Sequence, residues 1–171
     1  MPSPRSKPRI MWYDDLPTQR DKANQQAYSA WLRSFPWQIY FTLTFSYQLS
    51  RACAERQSRE FVNVLERHYR APVGCLVAEE HLSWSGCGLA ATRVHFHGLL
   101  CCDVHLDPEM VEAVWHRMGH FDGNAQARVY DPTRNATEYC MKFLSHPDTN
   151  WDIGHLHHFV EPKGPINQCE G

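Results

Sequence analysis

The segment from position 92 to 100 (TRVHFHGLL) carries β-branched and aromatic residues and has no breaker before Gly98. This composition predicts a β-strand, in which successive side chains point to opposite faces of a sheet. His95 and His97 therefore lie on one face, while Phe96 between them points toward the core. Two imidazoles about 6.6 Å apart on one strand face can converge on a single cation. The segment thus predicts both a sheet-based fold and a candidate metal site.

The composition of the chain is that of one folded domain. Its 171 residues are 43% hydrophobic and 12% aromatic, enough to bury a core without covalent staples. The seven cysteines contain no C-x-x-C pair, which argues against a disulfide framework and against a zinc ribbon. The net charge of −2 gives no overall attraction to nucleic acid, so any such binding must depend on a local surface.

No segment is typical of membrane insertion or secretion. No run approaches the roughly 18 apolar residues of a membrane span. The N-terminal residues also lack the apolar stretch of a secretory signal. We therefore expect no membrane partner, and a location in the cytoplasm or in the DNA compartment of a host cell.

Periodicity, caps and breakers predict a helix followed by the order β-α-β-β-α-β-α. Helices are predicted over 21–35, 51–70, 108–118 and 132–145, with N-caps at Ser50, Asp107 and Asp131. Strands are predicted over 38–46, 73–82, 92–100 and 126–130, with one more near 155–160. The Gly-bearing connection between the second and third strands predicts that these two are antiparallel neighbours.

This order predicts an α+β fold with a mostly antiparallel sheet of four to five strands. Helices are expected to pack on one face of a ferredoxin-like or RRM-like palm, leaving the other face open. Residues 21–160 form the predicted domain. Residues 1–20 are predicted to be a flexible basic arm, and residues 161–171 a tail.

A carboxylate on the neighbouring strand is the predicted third metal ligand. Cys75 and Val77 are expected to face the core, and the same parity would bury Glu79 and leave Glu80 beside the histidines. A β-bulge would instead bring Glu79 to the site. Two imidazoles and one carboxylate leave coordination positions open, which suits catalytic Mn²⁺ or Mg²⁺ and does not exclude Zn²⁺.

A tyrosine and a lysine share one face of the last predicted helix. Tyr139 and Lys142 are three residues apart, the spacing of neighbours on a helix surface. A phenol has a pKa near 10, so it is a weak nucleophile at neutral pH, and a nearby ammonium favours its ionised form. The alternative is a tyrosine that packs at the edge of the core.

Taken together, three segments resemble the motifs of the HUH endonuclease family, in their usual order. The closest branch is that of the rolling-circle replication initiators with one tyrosine, which plasmids and viruses carry. Residues 41–45 (FTLTF) look like the first motif, 95–100 (HFHGLL) like the metal-binding second motif, and 139–144 (YCMKFL) like the nucleophile helix.

The resemblance implies metal-dependent, site-specific nicking and joining of single-stranded DNA at a replication origin, often a hairpin. Tyr139 would attack the scissile phosphate and form a 5′-phosphotyrosine, and Lys142 would position or neutralise that group. Further DNA contacts are expected from four residues, Thr42, Thr44, Arg93 and Trp84. The chain has no G-x-x-x-x-G-K-[ST] motif, so a separate helicase and polymerase of the host are expected.

Other interpretations of the same residues remain. A single-tyrosine transposase or relaxase would use the same chemistry. A non-catalytic RRM-like module would instead stack bases on Tyr40, Phe41 and Phe45. His155-Leu156-His157 also fits a His-hydrophobe-His pattern, but it follows the tyrosine helix, and we expect surface histidines there.

Overall fold

The computed structural model describes residues 19–47, 49–83, 92–119, 123–134, 136–144 and 150–159, without the side chains at 19–22, 24, 25, 51, 81–83, 92, 93, 141–144 and 150. Helices are α1 (Gln19–Leu32), α2 (Arg51–Tyr69), α3 (Pro108–Arg117) and α4 (Ala136–Leu144). Strands are β1 (Ile39–Thr44), β2 (Val73–Ser83), β3 (Thr92–Cys102), β4 (Ala125–Val129) and β5 (Asn150–Gly154). Short 3-10 turns span Pro132–Arg134 and Leu156–Phe159.

The five strands form one sheet in the order β4-β1-β3-β2-β5, and each neighbouring pair is antiparallel. This confirms the predicted α+β class and the antiparallel pairing of β2 with β3. Strand β3 lies in the centre, so its side chains can meet those of β1 on one side and β2 on the other. His97 lies opposite Thr42 of β1 and Ala78 of β2, and His95 lies opposite Glu80.

One face of the sheet, the core face, packs against α2 and α3. Aromatic rings dominate this interface: Phe41 contacts Phe61 of α2, and Phe96 contacts Trp115 of α3. All four side chains are almost fully buried. Gly98 lies below the Phe41 ring, and a Cβ added there would lie 2.3 Å from Phe41 Cζ. The sheet therefore needs a residue without a side chain at position 98.

The opposite face, the site face, is partly covered, which corrects the prediction that helices pack on one face only. Leu32 of α1 and Cys140 of α4 lie in a second buried cluster with Leu99 of β3 and Leu76 of β2. Leu32 at the end of α1 and Cys140 of α4 are apolar residues that need a buried partner, and the core face is already filled by α2 and α3. The site face is consequently a cleft bounded by helices rather than an open surface.

Two helix N-termini follow the predicted caps. The Ser50 side chain accepts a hydrogen bond from Cys53 N, and Asp107 accepts one from Glu109 N with Pro108 in the first helical position. Helix α1 begins at Gln19, so it includes the last two residues of the predicted arm. The rest of that arm and the tail from 161 lie outside the described residues.

Two predicted boundaries are wrong. Asp131 and Pro132 open a 3-10 turn, in which the Asp131 carboxylate accepts a bond from Thr133 N, and α4 begins at Ala136. The last strand is Asn150–Gly154 rather than 155–160. His155 has a φ of 57°, in the left-handed region, which ends the strand before the 3-10 turn Leu156–Phe159.

No helix within the described ranges has the length and apolar character needed to cross a bilayer.

Candidate metal centre and tyrosine cleft

Three side chains on β2 and β3 form a candidate metal centre. One ligand atom from each of Glu80, His95 and His97 lies within 4.8 Å of the other two. Glu80 Oε2 is 3.2 Å from His97 Nε2. Glu79 is buried on the core face, with 4% of its surface exposed, so no bulge reverses the phase of β2. The orientation of Glu80 and the two histidines is as predicted from strand parity.

The donor set fits a divalent cation. Two imidazole nitrogens and one carboxylate oxygen suit manganese, magnesium or zinc and leave positions for other ligands. His97 is buried, whereas His95 and Glu80 are half-buried, so the site faces a cleft that solvent can reach. Within the described part of the chain, this is the one group of three potential ligand residues that meets so closely.

A hydrogen-bond chain from β1 orients His97. Its Nδ1 lies 3.1 Å from Thr42 Oγ1, and the Thr42 hydroxyl donates to Tyr40 Oη at 3.4 Å. Without a cation, His97 Nε2 can carry the proton and donate to Glu80 Oε2. In the tautomer that binds a cation, Nδ1 carries the proton instead and donates to Thr42. The Nε2 lone pair then points toward Glu80 and is available to a cation. Thr42 thus supports the metal centre, although the sequence suggested a DNA contact for it.

Burial keeps the His97 imidazole neutral. Desolvation lowers the pKa of His97 below its ordinary value of 6.5, and the nearby His95 lowers it further. The Glu80 carboxylate acts in the opposite direction, through its hydrogen bond and its charge, but burial outweighs it. A neutral imidazole at pH 7 is the form that binds metal ions.

Tyr139 lies beside the metal centre. Its ring packs edge-on against the ring of His97, with centroids 5.2 Å apart, and against that of Tyr40 at 6.4 Å. The next residue, Cys140, is fully buried and anchors α4 to the site face, while Tyr139 remains 41% exposed. The ring is therefore held in place and is still open to a large ligand.

Helix α1 supports α4 from behind. Arg33, the residue after α1, forms an ion pair with Glu138 of α4, and Ser29 Oγ of α1 donates to the same carboxylate at 3.4 Å. These contacts fix the residue that precedes Tyr139. The sequence did not reveal this role of α1, because neither residue forms part of a recognisable motif.

The described neighbours of the Tyr139 phenol do not activate it. Burial raises the pKa of Tyr139 above 10, and the nearby Tyr40, Glu80 and Cys140 raise it further. The hydroxyl is therefore protonated at neutral pH. A cation held by Glu80 would offset one of these effects, because it would neutralise the carboxylate charge.

A cleft of about 680 Å³ joins Tyr139 and His97 to the edge of the sheet. It is lined by Tyr40, Thr42, His97, Arg128, Val129, Tyr130, Asp131, Arg134, Ala136 and Tyr139. Its polar and aromatic lining, with two guanidinium groups, suits an anionic, partly planar ligand such as a nucleotide.

Four further residues were predicted to contact DNA or the phosphotyrosine, and the structure describes the side chain of one of them, Thr44. The Thr44 hydroxyl contacts the Asn124 backbone, accepting from its N at 2.8 Å. The structure does not describe Trp84 or the side chains of Lys142 and Arg93, so their roles in DNA binding stay predictions.

The second histidine pair lies away from the candidate metal centre. His155 follows β5, and its Nδ1 is 3.2 Å from a carboxylate oxygen of Glu66 on α2. His157 lies in the following 3-10 turn and is exposed. As expected, these are surface histidines.

The aromatic residues proposed for base stacking are buried. Phe41 and Phe45 lie on the core face with almost no exposure, and Tyr40 is largely covered on the site face. Bases cannot stack on rings packed into a core. Phe41 and Phe45 therefore offer no surface for base stacking, whereas Tyr40 lines the cleft.

Protein-family models, curated proteins and solved structures gave no match to this chain. Function must therefore be inferred from the chemistry of the site. A cation centre beside a tyrosine in a cationic cleft is suited to transferring a phosphoryl group onto the phenol.

Proposed function

We propose that this protein nicks single-stranded DNA in a cation-dependent reaction that links the DNA covalently to Tyr139. The observation that carries the proposal is the contact between the Tyr139 and His97 rings, whose centroids are 5.2 Å apart. This contact brings a nucleophile next to the residues that would hold a cation. A purely structural tyrosine at a core edge would not need a cluster of metal-binding side chains beside it.

The reaction would be a transesterification. The Tyr139 oxygen attacks the scissile phosphorus while the bond to the 3′-oxygen breaks, giving a 5′-phosphotyrosine and a free 3′-hydroxyl. The phenol proton is lost to solvent, and the leaving 3′-oxygen takes up a proton. One phosphoester bond replaces another, so the reverse reaction can join DNA ends.

Glu80, His95 and His97 would hold the cation, Mn²⁺ or Mg²⁺. When bound, the cation would polarise the phosphate and offset the charge that develops on its oxygens. This help is needed because the pKa of Tyr139 is raised, so the phenol is a weak nucleophile at neutral pH. The resemblance to HUH endonucleases assigns Lys142 the role of neutralising the phosphotyrosine.

The biological role that we propose is initiation of rolling-circle replication of a plasmid or virus. The order of the three motifs, at 41–45, 95–100 and 139–144, supports it. The free 3′-hydroxyl would prime a host polymerase, and a separate helicase would unwind the duplex. A transposase or relaxase with the same chemistry would give the same covalent product.

A covalent-adduct assay tests the proposal. The protein is incubated with a random-sequence single-stranded DNA library, labelled at the 3′ end, with Mn²⁺ or with a chelator. Denaturing gel electrophoresis should show labelled protein with Mn²⁺ and none with the chelator. Tyr139→Phe should abolish the band, whereas Tyr28→Phe, at an exposed position on α1, should retain it.

Two other results would contradict the proposal. Retardation on a native gel without an adduct on the denaturing gel would indicate a binding module. An adduct that survives in Tyr139→Phe would show that another residue is the nucleophile.

A further inference from the structure

We propose that Arg128 and Arg134 form a second phosphate-binding site in the Tyr139 cleft, which holds the phosphodiester next to the scissile one. This inference rests on the proposed function, because it takes single-stranded DNA as the ligand of the cleft. It adds a contact that neither the sequence motifs nor the metal centre supply.

The sheet places Arg128 on the site face, away from the metal centre. Arg128 of β4 lies opposite Tyr40 of β1, and His97 of β3 lies opposite Thr42 of the same strand. Two strand spacings, roughly 10 Å, therefore separate the strands that carry Arg128 and His97. A DNA strand that leaves the cation and crosses β1 would reach Arg128.

Among the described residues, Arg128 packs on an aromatic ring and does not pair with a carboxylate. Its guanidinium carbon lies 4.8 Å from the centroid of the Tyr40 ring. The contact with the ring leaves the positive charge of the guanidinium and its other N–H donors available to a phosphate.

Arg134 is fixed by the turn that precedes α4. Its Nε lies 3.3 Å from Asp131 Oδ2, and the other carboxylate oxygen accepts bonds from Thr133 N and Oγ1 at 2.9 and 2.6 Å. The Thr133 bonds and Arg134 lower the pKa of Asp131, so the carboxylate stays ionised. Since one of the five guanidinium N–H groups of Arg134 is used, the others remain for a ligand.

The location of this pair matters because the whole chain is slightly acidic. With a net charge of −2, the protein cannot attract DNA by its overall charge. Arg128 and Arg134 line the same cleft as His97 and Tyr139, so cationic groups are available on both sides of the bound strand. Such a contact would fix the register of the strand and keep the scissile phosphate at Tyr139.

The test measures binding without cleavage and without metal. Binding of a fluorescent, random-sequence single-stranded DNA to the Tyr139→Phe protein is followed by anisotropy in a chelator, over a series of salt concentrations. Each phosphate contact contributes about 0.7 to the slope of log affinity against log salt. Arg128→Gln combined with Arg134→Gln should therefore make the slope shallower by about 1.4.

Matched variants separate charge from folding. Arg128→Lys keeps the positive charge and should retain the salt slope. Arg117→Gln removes a charge at the end of α3, on the core side of the sheet, and should leave the salt slope unchanged. Circular dichroism checks that each variant is folded. An unchanged slope in the folded double variant, an equal effect of Arg117→Gln, or no DNA binding by the parent would overturn the second site.

The second site and the proposed function fail separately. If the wild-type protein forms no adduct but the double variant shows the shallower slope, the nuclease proposal is wrong and the phosphate site stands. If the adduct forms and the slope does not change, the nuclease proposal stands and the phosphate site is wrong.

Discussion

Tyr139 and His97 pack edge to face, with ring centroids 5.2 Å apart and ring planes at 84°. The contact joins helix α4 to the central strand of the sheet. Because His97 is also part of the candidate metal centre, a change in either residue should affect both cation binding and the position of the phenol.

The carboxylate on β2 that binds the cation should be Glu80. Removing its charge with Glu80→Gln should weaken Mn²⁺ binding on the order of 100-fold, because Glu80 is the one anionic ligand among the three described residues of the centre. Isothermal titration calorimetry measures the affinity. Glu79→Gln changes the neighbouring residue on the core face and should leave Mn²⁺ affinity unchanged in the folded protein. A larger loss in Glu79→Gln than in Glu80→Gln would contradict the assignment.

Thr42 should tune the metal centre through His97. Thr42→Val keeps the shape of the side chain but removes the oxygen that lies 3.1 Å from His97 Nδ1. Loss of such a supporting bond should weaken Mn²⁺ binding by about 10-fold. Thr42→Ser keeps the hydroxyl and should restore most of the affinity. If Thr42→Val binds Mn²⁺ as tightly as wild type, then Thr42 does not orient the ligand.

Acid should destabilise the metal-free protein through His97. Its pKa in the folded state is below 6.5, so the unfolded chain binds more protons in the pH range just below that value. The free energy of unfolding should therefore fall as pH decreases from about 6.5 toward the folded-state pKa.

Urea unfolding in a chelator, at several pH values, measures this effect. His97→Gln should flatten the pH dependence, whereas His105→Gln, at an exposed site, should retain it. A pH dependence that is the same in wild type and His97→Gln would show that His97 is not the group responsible.

Gly98 should be intolerant of any side chain. A Cβ there would lie 2.3 Å from Phe41 Cζ and 2.4 Å from the Leu76 carbonyl oxygen, and the backbone atom cannot move aside. Gly98→Ala should lower the free energy of unfolding by about 3 kcal/mol, as overpacked cores do.

Gly154→Ala is the matched control for this prediction. Its Cβ would approach only the Cys75 sulfur, at 2.9 Å, which can shift with its side chain. Chemical denaturation should therefore show that Gly154→Ala lowers the free energy of unfolding by less than half as much as Gly98→Ala does. Equal losses of unfolding free energy in the two variants would mean that the backbone near position 98 moves to make room for the added Cβ.

Much of the sheet and the metal centre follows from local sequence. Alternation along β3 placed His95 and His97 on one face, and the parity of Cys75 and Val77 placed Glu80 with them. These features depend on the two-residue period of a strand, which neighbouring residues determine. The caps at Ser50 and Asp107 are local in the same sense.

What could not be predicted depends on long-range packing. Helix α1 lies behind α4 because Leu32 shares a buried cluster with Cys140 and because Arg33 pairs with Glu138. Each of these contacts joins residues more than a hundred positions apart. The role of Thr42 depends on the register of β1 with β3, which no local pattern specifies. The strand Asn150–Gly154 contains Asn, Asp and Gly, which strands disfavour, and forms by pairing with β2.

The most direct test of the central claim is to locate the residue that becomes attached to DNA. The wild-type protein is incubated with the single-stranded library and Mn²⁺, the adduct is digested with nuclease and protease, and peptides are analysed by tandem mass spectrometry. We expect a nucleotide phosphate on Tyr139, present with Mn²⁺ and absent with a chelator. Attachment at any other residue, or an adduct that forms without a cation, would contradict the account.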